Sequence, residues 1–522
     1  MAFGLGTSLT QTAALRGDAM AIVDDDKIFS WRQFEDRVAR LAGAFVHHGL
    51  SPGGRVVLLT LNGHRSIESF YAVCWAGGVV VPLNHRLSSD ELVAQVRDSA
   101  PDIIILGDEF TDLAGPLSAA AGTARLIHAG EGQAPPGLLS FERELARARP
   151  CAEQGRACDD LACIFYTSGT TSAAKGVMLS HANLDANSVN TRAELGLGRD
   201  TIHLHHGPLF HIGSAARLFS VTAAGGTHVF LPRFDPGQTL AEIARTRVTH
   251  ATFVPTMIRA LLDEPSRKSV DLTSLALLSY GSAPMPLSLL VEMMNAFPDV
   301  RFVQSYGMTE LSPVATMLGA DDHASGRSDL LRSAGRAVPL ADIAIVAPDG
   351  RRLDAGDVGE IIVRGPNVMT GYWNRPDLTT AAIENGWMHT GDAGYLDREG
   401  YLFVVDRLKD MIISGGENIF SQEVENVVSA HPAVAQCAVI GLPDSYWGEV
   451  VHCIVALKPG VQTSPDEIIS FSRAHLAHYK CPRAVTIYPT SLPLSGANKI
   501  AKAQLRAELM SEHVNIDDRR KE

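Results

Sequence analysis

Short apolar runs separated by helix-length segments recur through most of this chain, and that rhythm constrains the fold more than any single residue. Arg55–Leu61 (RVVLLTL) reads as a buried strand and is followed by the amphipathic Ser66–Ala76. Asp102–Leu106 (DIIIL), Ala162–Tyr166 (ACIFY), Thr227–Leu231 and Thr249–Val254 continue the series, the last preceded by the helix-like Gln238–Arg247. Alternation of this kind predicts an α/β fold with parallel sheets covered by helices.

The rhythm breaks twice. From about residue 335 to 405 the chain is rich in Gly and Asp, with short strands such as Ile343–Val346 and Glu360–Val363, which predicts a small, mostly β region. Beyond Asp406–Arg407, Ser421–Ala430 and Pro465–His475 read as helices, and Ala435–Ile440 and Val450–Leu457 as strands. The expected division is a large N-terminal domain over 1–407 and a small α+β domain over 408–522.

Charge and cysteine usage narrow the function classes. With 45 Lys+Arg against 58 Asp+Glu, the formal net charge is −13, so there is no basic excess to displace counterions from nucleic acid. A local positive pocket for an anionic ligand stays open. The seven cysteines form no CxxC pair, which argues against structural zinc or a disulfide framework and for a reducing compartment. No secretory start is visible, and the longest apolar stretch, Phe70–Leu83, is shorter than the roughly 20 residues a bilayer span needs. The C-terminal RRKE is neither a CaaX box nor an SKL address. A cytoplasmic protein with no integral membrane segment is expected, with room for a homodimer.

The most informative local sequence is Tyr166–Val177, YTSGTTSAAKGV. A strand runs into Thr167, Ser168, Gly169, Thr170 and Thr171, and then Lys175. Small hydroxyl and glycine residues let backbone N–H groups and hydroxyls approach phosphate oxygens, while a lysine adds a mobile positive charge. No GxxxxGK[ST] can be aligned on it. Alone, the loop is equally a plain connection.

It is accompanied by GSAPM (Gly281–Met285), QSYGMTE (Gln304–Glu310), WMHTGDAGYLDREGYLFVVDR (Trp387–Arg407) and LPLSGANKIAK (Leu492–Lys502). In this order the five motifs resemble those of the adenylate-forming superfamily, which includes acyl-CoA synthetases, peptide-synthetase adenylation domains and luciferases. The resemblance covers nearly the whole chain. It implies that a carboxylate attacks the α-phosphorus of ATP, with pyrophosphate leaving, and that Thr167–Thr171 and Lys175 hold phosphates. By the same likeness Gly281, Ser282 and Ala283 line the adenine pocket, and Tyr306, beside Gly307, stacks on adenine. Thr309 meets the α-phosphate and Glu310 holds magnesium. Asp392 and Arg407 take the ribose side of the nucleotide, and Lys499 is the adenylation lysine. Lys499, Thr309 and Lys175 are then the catalytic set. The residue types suit chemistry that is mostly positioning and charge stabilisation. Glu310 is a hard oxygen ligand, and Lys499 a point charge on a flexible stem.

Two departures stand out. The usual Gly-x-Pro-Lys-Gly of the phosphate loop is Ser172-Ala173-Ala174-Lys175-Gly176 here, and the usual Gly-Lys near the end is Asn498-Lys499. Neither removes a reacting group.

PLFHIGSA (Pro208–Ala215) speaks to the branch. Amino-acid-activating relatives place an aspartate after the phenylalanine, to pair with the substrate's ammonium; this chain has His211, as acyl- and aryl-CoA synthetases do. Burying an ammonium without that carboxylate would be costly. With 23 residues after Lys499, no fused carrier domain is expected. The resemblance surrounds the acyl group with His211, Gly213, Arg217, Ser279, Ser282, Ser305, Pro313 and Val314. Arg217 is the odd member: it either points to solvent, pairs with a local acid, or contacts an oxygenated substrate. His203, His205, His206 and His211 are close in sequence, but their spacing does not suit one helix face and no acidic partner is near, so packing is expected rather than metal binding.

DRLKDMIISGGENIF (Asp406–Phe420) resembles the hinge and pantetheine region of acyl-CoA synthetases, with Lys409 at the hinge and Ser414-Gly415-Gly416 beside the CoA arm. A glycine pair after an apolar run is equally a turn. The expectation is an ATP-, magnesium- and CoA-dependent acid–CoA ligase of the fatty acyl-, feruloyl- or coumarate-like kind. The alternative is an acyl-AMP ligase serving a separate carrier protein.

Overall fold

The computed structural model describes residues 4–154, 158–167, 174–415, 417–444, 446–494 and 500–519. Two large sheets form its N-terminal part. The first has eight strands in the spatial order Gly371–Tyr372, Lys175–Ser180, Leu161–Thr167, Val79–Pro82, Arg55–Leu59, Ile103–Leu106, Arg125–His128 and Leu139–Ser140. From Leu161–Thr167 onward its neighbours are parallel, as the apolar runs predict, and Lys175–Ser180 folds back antiparallel on Leu161–Thr167. The expected strand at 55–61 ends at Leu59, and the helix that follows begins at His64.

The second sheet has nine strands and carries the parallel series Thr227–Phe230, Ile202–His205, His250–Phe253, Leu277–Gly281 and Arg301–Tyr306. Its two faces differ. Register places Leu204, Val229, Ala251, Leu278 and Phe302 side by side on one face. These pack with Leu240, Ile243, Ile258, Leu261, Leu290 and Met293 from the helices Pro236–Thr246, Pro255–Asp263 and Leu287–Ala296. Full burial of such a side chain contributes roughly 1.5–3 kcal/mol.

The opposite face looks toward the helix Ile212–Ala224, which is buried over most of its length and ends at Gly225 in a left-handed conformation. Here Phe230, Leu277 and Val303 are interspersed with His203, His205, His228, His250, Thr252, Ser279 and Ser305. The histidines at 203 and 205 share a face because this segment is a strand, on which alternate residues point the same way. Helix geometry was the wrong yardstick for their spacing.

A five-stranded antiparallel sheet, including Asp342–Val346, Gly359–Arg364, Trp387–Leu396 and Leu402–Arg407, forms the β region expected near 335–405. The last sheet holds Ile412–Ser414, Glu417–Ile419, Val434–Asp444, Gly448–Leu457 and Ala484–Tyr488. The helices Ser421–Val428 and Pro465–His475 contribute Val424, Val428 and Ile468 to its core. Ser464 caps the second of these helices reciprocally with Glu467, and a proline follows the cap, so sequence alone placed its start. Among the described residues, no helix is long and apolar enough to cross a membrane.

Candidate active site

Parallel strands leave a crevice beyond their C-terminal ends, and here four strands end together at His205, Phe253, Gly281 and Tyr306. Gly281 is required by contact: a Cβ there would lie 2.3 Å from the carbonyl oxygen of Ser305 on the adjacent strand. Ser282 follows with φ 65° and is exposed, with Ala283 half-buried behind it. After Tyr306 the chain makes a long hairpin connection before Thr316–Leu318 returns antiparallel. That connection carries Gly307, Thr309, Glu310, Pro313 and Val314. A Cβ on Gly307 would meet the Pro313 carbonyl oxygen at 2.0 Å, so the two ends of the loop are pressed together. Asn367 clamps the same loop, its amide donating to the carbonyls of Leu311 (3.2 Å) and Val314 (3.0 Å).

Tyr306 donates its phenolic proton to Oδ2 of Asp392 at 2.7 Å, while Nε of Arg407 lies 3.1 Å from Oδ1. Asp392 and Arg407 are register partners on adjacent strands, which fixes the pair. Burial, reinforced by the Asp392 carboxylate, holds the Tyr306 phenol far above its usual range, so it stays a neutral donor. The tyrosine ring is thereby locked in one orientation, and the buried Asp392 is held between a phenol and a guanidinium.

A second group gathers around Tyr372. Its hydroxyl donates to Oε1 of Glu310 at 2.8 Å, and Nζ of Lys175 stands 5.2 Å from the centre of its ring. Glu310 is buried in the short turn Thr309–Leu311, with Thr309 half-buried beside it. Burial raises the Glu310 pKa, opposed by the Tyr372 hydrogen bond and by the charges of Arg407 and Lys175. Lys175 and Thr167 are opposite each other at the mouth of the hairpin whose loop begins after Thr167. Sequence reasoning missed Tyr372 and Asn367. Nothing distinguishes Tyr372 from the neighbouring Trp373 until the short strand Gly371–Tyr372 is seen paired with Met178–Val177.

The residues expected around the acyl group run from shallow to deep. His211 precedes the helix Ile212–Ala224, and Gly213 in its first turn faces the Ser282 hydroxyl, 3.2 Å from where a Cβ would stand. Gly213, Ser305 and Pro313 are half-buried, whereas Ser279 and Val314 are buried. Ser279 and Thr252, on adjacent strands, share a hydrogen bond of 2.6 Å. Behind them a small cavity is lined by His203, His205, Gly207, Ser214, Arg217 and Thr252. Arg217 is 3% exposed, and among the described residues its Nε and Nη1 have no hydrogen-bond partner and no carboxylate pairs with it. It neither points to solvent nor pairs with a local acid.

At the end of Leu402–Arg407, Leu408–Asp410 form a turn, in which Lys409 is exposed. Ser414 and Gly415 follow at the tip of the hairpin joining Ile412–Ser414 to Glu417–Ile419. Gly415 has φ 61° and receives the Trp447 indole, whose Cε3 would be 2.7 Å from a Cβ. The Arg483 guanidinium lies 4.7 Å from the centre of the Trp447 ring system. A further pair escaped the sequence reading: Lys502 makes a 2.7 Å ion pair with the buried Glu425 and donates to Ser421 Oγ. Ser168, Gly169, Thr170, Thr171, Gly416 and Lys499 lie outside the described residues.

The AMP-binding enzyme family matches residues 9–373, and the AMP-binding enzyme C-terminal domain matches residues 423–499. A feruloyl-CoA synthase from an Amycolatopsis species is 38% identical, over 96% of this chain and 98% of its own. A fatty acid–[acyl-carrier-protein] ligase, ScoC, from Streptomyces coeruleorubidus is 34% identical, over 93% and 92%. Among solved structures, ATP-bound MatB from Rhodopseudomonas palustris superposes with a TM-score of 0.89 at 31% identity, covering 97% of this chain and 99% of that one.

Proposed function

For a chain that belongs to the AMP-binding enzymes, in their acyl-CoA ligase branch, we propose the following assignment of reaction steps to residues. The enzyme is an ATP-dependent, AMP-forming acid–CoA ligase. A substrate carboxylate oxygen attacks the α-phosphorus of ATP and pyrophosphate leaves. The CoA thiol then attacks the acyl carbon, and AMP leaves with the carboxylate oxygen as part of its phosphate.

One observation carries the assignment: Tyr306, Asp392 and Arg407 form one linked group, Glu310, Tyr372 and Lys175 another, and both gather at the C-terminal ends of parallel strands. The locked Tyr306 ring offers a face for adenine, and Asp392 accepts hydrogen bonds from the ribose hydroxyls, with Arg407 steadying it. Gly281, Ser282 and Ala283 border the base. Thr309, Lys175 and the Thr167–Thr171 loop contact the phosphates, and Lys499 bridges the carboxylate and α-phosphate in the adenylation transition state. Glu310 suits a magnesium ion, since a bound cation would offset the burial that raises its pKa, and the ion would neutralise phosphate charge. His211, Gly213, Ser279, Ser282, Ser305, Pro313 and Val314 enclose the acyl group.

The domains divide after Arg407, with Lys409 as the hinge of a C-terminal domain that turns between the two half-reactions, and Ser414-Gly415-Gly416 lies along the pantetheine arm. The cytoplasm, which supplies ATP and CoA, is the compartment of this reading. An aryl acid fits the likeness to the feruloyl-CoA synthase, and transfer to a carrier protein, as the name ScoC states for that relative, is the second reading.

The test is a panel of carboxylic acids assayed for pyrophosphate release and for thioester by mass, with CoA and with a carrier protein. Thioester on the carrier alone would favour the second reading. Lys499→Ala should lower adenylation by about 10²–10³ while sparing thioester formation from supplied acyl-AMP. Equal loss in both half-reactions would remove Lys499 from its assigned role.

A further inference from the structure

We propose that the acid this enzyme activates carries a second carboxylate, which Arg217 receives at the buried end of the acyl pocket. The inference rests on the acid–CoA ligase reading and names the substrate class of that site.

Arg217 lies one helical turn beyond Gly213, about 6 Å deeper along the helix Ile212–Ala224. Its guanidinium is sealed in the interior with Nε and Nη1 unpartnered, and borders a cavity shared with Ser214, Gly207 and Thr252. Thr252 is bonded to Ser279 on the strand that ends at Gly281, so this pair stands between the cavity and the acyl side of the crevice. Gly207 contributes no side chain to the floor.

The groups facing Arg217 cannot neutralise it. They are His203 and His205 across the cavity, with His228 and His250 farther along the same face of the sheet and His206 stacked on Phe253 of the other face, and burial depresses the pKa of each. His228 is pushed down to about 3 and His206 likewise, so at neutral pH these rings are uncharged. Burial lowers Arg217 itself only to about 10, so at pH 7 its charged form still outnumbers the neutral one by about a thousandfold. An uncompensated cation in such a place is costly, and with no acid beside it among the described residues the counter-charge must come from elsewhere. A guanidinium fork matches a carboxylate in shape as well as charge. A keto or hydroxyl oxygen would accept hydrogen bonds yet leave the positive charge unbalanced. His203 Nδ1, also unpartnered, can donate to the same anion in the tautomer that carries its proton there.

The test uses the full-length enzyme with matched mono- and dicarboxylic acids of graded chain length. Two readouts are taken: pyrophosphate release, and the rise in Tm on adding the acid alone. The wild type should favour a diacid over its monoacid by at least 10²-fold in kcat/KM, and the diacid alone should raise Tm. Arg217→Met should lose about 10²–10⁴ on the diacid, spare the monoacid, and show a higher Tm than wild type without ligand. Arg217→Lys should restore part of the diacid preference. Equal loss on both acids, or a wild-type preference for neutral oxygenated acids over diacids, overturns the proposal. A diacid-specific Tm rise lost in Arg217→Met without thioester from any acid would instead sink the ligase reading and leave the carboxylate site standing. The wild-type Tm comparison decides even if the variant fails to fold.

Discussion

On one face of the nine-stranded sheet Leu204, Val229, Ala251, Leu278 and Phe302 lie side by side beneath three helices; one residue along the same strands, the other face presents His203, His228, His250, Ser279 and Val303. Backbone, register and depth are shared, and only the parity of the residue differs. The apolar face loses nothing on burial. Its opposite carries polar groups into the interior, with His203 Nδ1 left without a hydrogen-bond partner, under a helix whose Arg217 has no counter-charge among the described residues. The contrast separates the two demands on the sheet: one side fixes the strands in place, and the strand ends and the other side carry polar groups that stability alone would not select.

Acid should expose the difference most strongly. The buried histidines of the polar face are neutral in the folded protein, whereas in the unfolded chain they protonate near 6.5. The unfolded state therefore binds more protons below that pH, and stability falls as pH drops from about 6.5 toward the depressed folded values. Each such histidine contributes a slope of up to about 1.4 kcal/mol per pH unit, and His203, His205, His228 and His250 together up to about 5.5 kcal/mol per pH unit. Urea midpoints measured from neutral pH to pH 5 read the slope. His228→Gln should flatten it by about one histidine's share, and an unchanged slope would show that His228 is not held neutral.

Truncation on the apolar face comes next. Phe302→Ala should cost about 3–5 kcal/mol in urea unfolding while leaving KM for the acid unchanged in the protein that remains folded. A shift in KM of the same order would show that the two faces are not independent. The smallest effect belongs to Ser279→Ala, on the strand shared by both faces. Loss of its bond to Thr252 should cost about 1 kcal/mol, with the larger consequence in KM for the acid. A purely structural effect on Ser279, with kinetics intact, would move the acyl pocket away from this wall.

Much of the architecture was legible before the structure. Apolar runs such as Ile103–Leu106 are strands because nothing else buries four consecutive branched side chains on both sides, and the Ser464–Glu467 cap marks its helix by local chemistry alone. The motifs put Tyr306, Asp392 and Arg407 on one list, but the Asp392–Arg407 pairing depends on a register shift between Ala393 and Gly394 in the hairpin of Trp387–Leu396 and Leu402–Arg407, which the motif spacing does not reveal. Arg217 shows the limit most clearly. Its sequence neighbourhood is that of an ordinary helix, and only packing against the His203–His205 strand shows that it is enclosed without an acid. Tyr372, Asn367 and the Lys502–Glu425 pair are hidden for the same reason, since each acts on residues tens of positions or more away.

The indole lying across Gly415 gives the molecule a property beyond its chemistry. Trp447 is 37% exposed, packs on a backbone turn assigned to the pantetheine arm, and has the Arg483 guanidinium against its ring. Indole emission responds to a neighbouring cation and to water, so any molecule sliding along that turn would change both at once. The chain thus contains its own unlabelled fluorophore at the place where the second substrate is expected, and a Trp447→Phe control would isolate its signal from the other four tryptophans. Arrival of the thiol substrate could then be timed by light, separately from the release of pyrophosphate.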